Sequence, residues 1–185
     1  MTERQMVGQI RMGRAALRAG AMAAALAVGG CVVVPIPIPM GMVQREPIAP
    51  AEFRAPPATQ GGEIVRAVND YRRGQGLAPL SWNDQLAAAA ARHAADLAVR
   101  GDLSHRGSDG RSLSGRVAAA GYDACMVAEN LASGQRDVAQ VVAGWIGSPA
   151  HRANMVHPHA QEAGGAFVNQ NGARVWVLNL GARCR

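Results

Sequence analysis

Lysine is absent from this 185-residue chain, so all 19 of its basic residues are arginine. Four arginines and one acid precede Cys31, so the remainder carries a formal charge of +3 against +6 for the whole. No arginine run, RNA-binding signature or helix-turn-helix spacing accompanies that mild excess, which excludes nucleic acid as the expected partner. Aromatic residues (4%) and charged residues (17%) are both scarce, while hydrophobic residues make up 49%. Such a chain can bury a core. Because much of the apolar count is alanine, that core must be built from small residues on closely approaching elements. The motifs H-E-x-x-H and G-x-S-x-G are missing, and with them the commonest signatures of a metalloprotease or a serine hydrolase.

Long apolar runs are missing too. Residues 19–30, AGAMAAALAVGG, are apolar and small but too short to span a bilayer, which takes roughly 20 residues. Behind scattered arginines and before Cys31, they read as a secretory signal peptide over 1–30. Val28-Gly29-Gly30-Cys31 resembles a lipoprotein signal-peptidase box, with valine where leucine is usual. Cys31 is therefore the expected lipid-attachment residue; ordinary cleavage nearby and a retained anchor are the alternatives. Residues 31–62 hold this cysteine and the stretch PIPIPMGMVQREPIAPAEFRAPPATQGG. Its prolines fix φ and remove backbone donors, so it is expected as an extended tether outside any helix or sheet core. With Cys31 lipidated, Cys125 and Cys184 remain as one disulfide pair in an oxidising compartment, or as two buried free thiols.

The rest, 63–185, is expected to fold as one domain. Ile64, Val65, Val68 and Tyr71 recur at helical spacing until Gly74 and Gly76. After Pro79–Trp82, Ser81 or Asn83 can cap a second helix with Leu86, Ala90, His93, Ala94 and Leu97 inward, ended by Gly101. Residues 101–112 form a loop, and a short helix follows over Leu113–Ala120. Residues 124–132 read as an irregular strand. Asp137 caps a helix that runs through Trp145 and ends at Ser148-Pro149. Asn171-Gly172 between two apolar stretches marks a hairpin. Helices first and an antiparallel pair last predict an α+β layered domain.

Polar groups concentrate at Ser104-His105, at Glu129-Asn130 and along Ser148–Asn154, all read as loop or irregular positions. Histidine titrates near neutrality and ligates metals, and a neighbouring carboxylate fixes its tautomer or shares the metal. Two histidines and a glutamate are ligands that zinc accepts. His93, on the apolar face with Leu86 and Leu97, is expected as a hydrogen-bonded core residue. His157-Pro158-His159 is expected as a solvated loop. Arg152 and Asn154 brace the polar loop, and Trp145 and Trp176 belong to the core.

Taken in order, the stretches Val68–Arg72, Pro79–Asn83, His93-Ala94, Leu103–His105, Asp109-Gly110, Arg116, Ala120–Tyr122, Ala128–Ala132, Trp145, Ser148–Asn154 and Val175–Gly181 resemble the bacterial branch of the CAP superfamily (cysteine-rich secretory protein, antigen 5 and pathogenesis-related-1 proteins, also called SCP domains). The resemblance covers nearly all of 63–185. It implies an α–β–α sandwich with a central antiparallel sheet and a cleft lined by two histidines and two acids, which in some members binds a divalent metal. His105 matches the first histidine, Glu129 the first acid and His151 the second histidine. The second acid would fall near Ser148, where this chain has none, and Asp109 is the candidate substitute. The ligand set for a divalent metal such as zinc is therefore His105, Glu129 and His151.

The expected role is that of an exported, membrane-tethered binding or scaffold module at the periplasmic face or cell surface, or a secreted one if not lipidated. Its partner would be a lipid, a metal or a cell-envelope component. A metal-dependent hydrolase using the same cleft is the alternative, with zinc lowering the pKa of its bound water to about 7 or glutamate acting as base.

Overall fold

The computed structural model describes residues 47–48 and 52–184. The expected signal peptide, Cys31 and the first half of the expected tether lie outside them. None of the helices among the described residues is long and apolar enough to cross a membrane.

Strand β1 is Pro47–Ile48, and helix α1 runs Gln60–Gly74. Both begin inside the stretch expected to stand apart as tether, so the domain starts before residue 63. Two physical reasons account for the difference. A sheet edge tolerates proline because one side of an edge strand needs no donor, and Pro47 and Ile48 lie opposite Cys184 and Arg183 at the end of the last strand. Thr59 is an N-cap, its Oγ1 accepting from the Gly62 N–H at 3.1 Å, so the helix starts ahead of the first apolar repeat. Between these elements the chain is pinned by the Trp82 N–H, which donates to the Arg54 carbonyl at 2.8 Å.

Strand β2 is Ser81–Trp82, followed by α2 over Asp84–Arg100. Asn83 is the cap, its Oδ1 accepting from the Gln85 and Leu86 N–H groups at 3.0 Å. Gly101 closes the helix at φ 74°. Helix α3 is Leu113–Ala119, β3 is Ala124–Ser133 and α4 is Val138–Gly147, capped by Asp137 as expected. The polar stretch 148–154 is a correction, because it is helix rather than loop: α5 spans Pro149–Met155 with Pro149 in its first turn. Proline stops a helix that reaches it but suits the first turn of the next, where its missing N–H is not needed. Strands β4 (Glu162–Gln170) and β5 (Ala173–Cys184) form the hairpin, with Asn171 and Gly172 both at positive φ (51° and 82°).

The sheet order is β3-β5-β4-β2, with β1 on the end of β5; all pairs are antiparallel except β2–β4. Alternation along β5 divides the core. Trp176, Leu178 and Leu180 pack with Ile64, Val65 and Val68 of α1 and with Val142 and Trp145 of α4. Val175 and Val177 pack with Ala90, Ala94 and Leu97 of α2. The result is an α–β–α sandwich, with α1 and α4 on one face and α2 on the other. Successive glycines in β4 set the layer spacing. A Cβ on Gly164 would lie 2.1 Å from the Ala87 nitrogen of α2, and one on Gly165 would lie 2.4 Å from the Gly61 carbonyl oxygen of α1. Both helices ride on bare backbone, which is how a core poor in large side chains is closed.

Cys125 and Cys184 are joined as a disulfide across 59 residues. The β3–β5 register slips between Ala124 and Met126, and Cys125 is the extra residue. The bulge frees its side chain from the regular alternation.

Candidate functional site

The site forms where the α2–α3 loop and helix α5 meet β3. Neighbouring residues of a strand face opposite sides of the sheet. Glu129 shares the parity of Leu131, which packs with α2, and Asn130 that of Ala132, which packs with α1 and α4. One dipeptide therefore serves both layers.

On the α2 side, the Glu129 carboxylate is 1% exposed and engaged at both oxygens. Its Oε2 accepts from Arg116 at 2.6 Å, and its Oε1 lies 2.8 Å from His105 Nδ1. A charged guanidinium beside a buried carboxylate compensates its desolvation. A carboxylate can only accept, so His105 Nδ1 carries the proton and Nε2 turns outward on a side chain that is 64% exposed. Arg116 also donates to the His105 carbonyl at 2.7 Å, holding backbone and side chain of the same residue. The loop that carries His105 is fastened to α2 by His93 Nε2 on the Ser104 carbonyl (2.9 Å) and by the Ser108 N–H on Asp96 (2.9 Å).

On the other side, buried Asn130 donates to the His151 carbonyl at 3.0 Å and accepts from Asn154 at 2.9 Å. Asn154 also donates to the Glu129 carbonyl at 3.2 Å, and Arg152 donates to the Ile146 carbonyl at 2.9 Å. Both residues brace α5, as expected. These bonds fix α5, the helix that carries His151, against β3. Burial first and the charge of His105 second lower the His151 pKa below its ordinary 6.5.

The expected metal set does not assemble. Among the described residues no group of three or more histidine, cysteine, aspartate or glutamate side chains is placed to hold a metal ion. The reason is local: Glu129 is committed to Arg116 and His105, so it orients a histidine rather than offering a third ligand. A catalytic zinc takes three protein ligands, and the donor set His105, Glu129 and His151 does not fit one. Asp109 does not supply the missing acid either, since its carboxylate accepts from the Arg111 N–H and guanidinium, both at 2.9 Å. His93 is the buried, hydrogen-bonded histidine expected of it, and burial lowers its pKa. His157 accepts from the His159 N–H at 3.3 Å within a turn.

Two buried arginines escape the sequence reading as functional parts. Arg116 sits beside Val117 on a seven-residue helix, and an arginine next to a buried valine is the available signal. Arg72 is 2% exposed and donates to the carbonyls of Ala78 (2.9 Å) and Met155 (2.8 Å), tying α1 to the end of α5.

Residues 65–180 match the profile of the CAP family, described as the cysteine-rich secretory protein family. The uncharacterized protein YkwD of Bacillus subtilis (strain 168) is 26% identical over 115 residues, which cover 62% of this chain and 44% of that protein. The chain therefore spans less than half the length of that relative. Among solved structures, an extracellular SCP-domain protein from Bacillus anthracis aligns at TM-score 0.62 and 22% identity, over 66% of this chain and 40% of that one. An outer surface protein from Borrelia burgdorferi aligns at TM-score 0.60 and 21% identity, over 66% of this chain and 91% of that one. These likenesses bear on the fold.

Proposed function

The chain belongs to the cysteine-rich secretory protein (CAP) family, and from that premise we propose that it is an extracytoplasmic binding module, held at a membrane by Cys31, whose recognition group is the histidine pair His105 and His151. One observation carries the reading. The chain Arg116–Glu129–His105 fixes an imidazole by its Nδ1 on an exposed side chain, and both Glu129 oxygens are engaged in doing so. A histidine held in one tautomer is pre-organised to bind a polar group. The location is supported by the descriptions of the similar structures as an extracellular protein and an outer surface protein, and by the disulfide, which suits an oxidising compartment.

The test compares the full-length protein with a His105→Ala/His151→Ala variant for retention on detergent-solubilised cell envelope, with circular dichroism as the fold control. Loss of retention at unchanged fold is expected. Equal retention by both proteins would remove the histidine pair as the recognition group.

A hydrolytic reading has one observation behind it: a histidine oriented by a carboxylate is the arrangement of a general base. No partner nucleophile completes it among the described residues. The neighbouring Ser104 hydroxyl accepts from the Arg106 N–H at 3.1 Å, and both cysteines of the domain are in the disulfide. Binding therefore stands ahead of catalysis. Hydrolysis of ester or amide probes that is lost with His105→Ala would reverse that order.

A further inference from the structure

A second polar cleft of about 160 Å³ opens between α2, the loop 107–111 and α3, lined by Arg92, His93, Asp96, Asp109, Arg111 and Arg116. Two of these carry buried polar atoms without a partner: His93 Nδ1, on a side chain that is 0% exposed, and Arg116 Nε, on one that is 9% exposed. Their chemistry is opposite. His93 Nε2 lies 2.9 Å from the Ser104 carbonyl, which can only accept. The ring proton is therefore on Nε2, and Nδ1 presents a lone pair. Arg116 Nε presents a donor, because the other guanidinium nitrogens serve Glu129 and the His105 and Arg111 carbonyls. An orphaned buried donor and acceptor each carry a desolvation penalty that a ligand can relieve.

The geometry narrows what could do so. His93 Nδ1 and Asp96 Oδ2 are 4.0 Å apart, too far for a direct hydrogen bond. A single group seated between them, about 2.8 Å from each, would have to donate twice. A lone hydroxyl has one proton and cannot; a primary ammonium can. Two of the three lining arginines are already paired, Arg116 with Glu129 and Arg111 with Asp109, which leaves Arg92 with Asp96 and one carboxylate only for a metal cation. The unpartnered Arg116 Nε–H suits a carboxylate, with Arg92, unpaired among the described residues, in the same lining. Sites for drug-sized ligands run from about 300 Å³ upward, so this one suits a few heavy atoms.

We propose that this cleft binds a small α-amino acid, its ammonium between His93 and Asp96 and its carboxylate on Arg116. The cleft shares Arg116 with the Arg116–Glu129–His105 chain, but the argument for it does not rest on the function proposed for the histidine pair.

The probe is glycine, titrated into the full-length protein while the ring-nitrogen resonances of His93 are followed by NMR. Ethanolamine and acetate serve as single-ended controls. Glycine should shift the Nδ1 resonance saturably in the millimolar range, and both controls should bind about tenfold more weakly. Asp96→Asn keeps an acceptor for the Ser108 N–H and should weaken glycine about tenfold. Arg92→Ala, on the exposed rim, provides a variant with little risk to the fold and should weaken glycine in the same direction. No saturable shift with glycine would mean that water alone satisfies these atoms, and the proposal falls. Binding of ethanolamine as strong as that of glycine would overturn it equally, by removing the carboxylate contact.

Discussion

His105 Nδ1 lies 2.8 Å from Glu129 Oε1, while the other oxygen of the same carboxylate takes Arg116 at 2.6 Å. One buried charge thus holds a surface histidine and a buried arginine at once. Glu129→Gln preserves shape but leaves the Arg116 guanidinium buried without its counter-charge. Removing one partner of a buried pair costs about 3–5 kcal/mol. Since glutamine still accepts one hydrogen bond, we expect a loss near the lower end, about 3 kcal/mol. Urea denaturation checks this. A loss below about 1 kcal/mol would place the pair in the class of exposed ion pairs and refute the reading of Glu129 as the keystone.

Acid should destabilise the domain through buried His93 and the half-buried His151 and His157. Burial is the largest influence on His93 and lowers its pKa from the ordinary 6.5; His151 and His157 move the same way for the same first cause. As pH falls through 6.5 the unfolded chain takes up protons that the folded chain refuses. Stability contributed above that value is therefore lost progressively below it, down to each folded-state pKa. Each histidine contributes at most about 1.4 kcal/mol per pH unit within that window. Melting temperatures from pH 7.5 to 5 should decline, and the decline should be shallower in His93→Gln. A profile of identical slope in the variant would show that His93 is not one of the groups responsible.

The disulfide closes a loop of 59 residues between the bulge of β3 and the last strand. In the chain-entropy model a loop of this length stabilises by about 4 kcal/mol. Cys184 also lies opposite Pro47, so the bond secures the edge where the N-terminal segment rejoins the sheet. Reduction should lower the melting temperature markedly, and Cys125→Ser should lower it comparably in the absence of reductant. If reduction leaves the melting temperature unchanged, the two thiols contribute packing only.

Much of this architecture is legible in the chain, and the exceptions share a cause. Asn83, Asp137 and the Asn171-Gly172 turn are local signals whose hydrogen bonds or φ angles stay within a few residues, so they survive without tertiary knowledge. The inner face of α2, with His93 on it, follows from helical period alone. Ser148-Pro149 misleads because proline carries one local meaning at the end of a helix and another at the start of the next, and only the packing of α5 on β3 through Asn130 and Asn154 decides between them. The prolines before residue 60 read as a tether because edge pairing with β5 is a contact across more than 130 residues. His105 and Glu129 are legible through the family resemblance. That Glu129 serves Arg116 as well, and so withdraws from the metal set, depends on a helix thirteen residues away in sequence.

The glycines of β4 provide the sharpest test of the layered core. Gly164 lies under α2, where an added Cβ would stand 2.1 Å from the Ala87 nitrogen and 2.5 Å from the Leu86 carbonyl carbon. Both obstacles are main-chain atoms of a helix that also caps on Asn83, so neither can step aside as a flexible side chain would. Gly164→Ala must push α2 off the sheet, and overpacking of this kind costs about 1–3 kcal/mol or more; we expect about 3 kcal/mol. Gly144, on α4, has no atom within 4 Å of an added Cβ. There alanine should be neutral or stabilising by up to about 1 kcal/mol, since glycine is the poorer helix former. Glycine is the poorer residue in helix and strand interiors alike, so opposite signs at the two sites would report the space available to the added methyl group. Chemical denaturation of both variants separates them, and a tolerated Gly164→Ala would mean that the α2 layer sits on the sheet more loosely than these distances require.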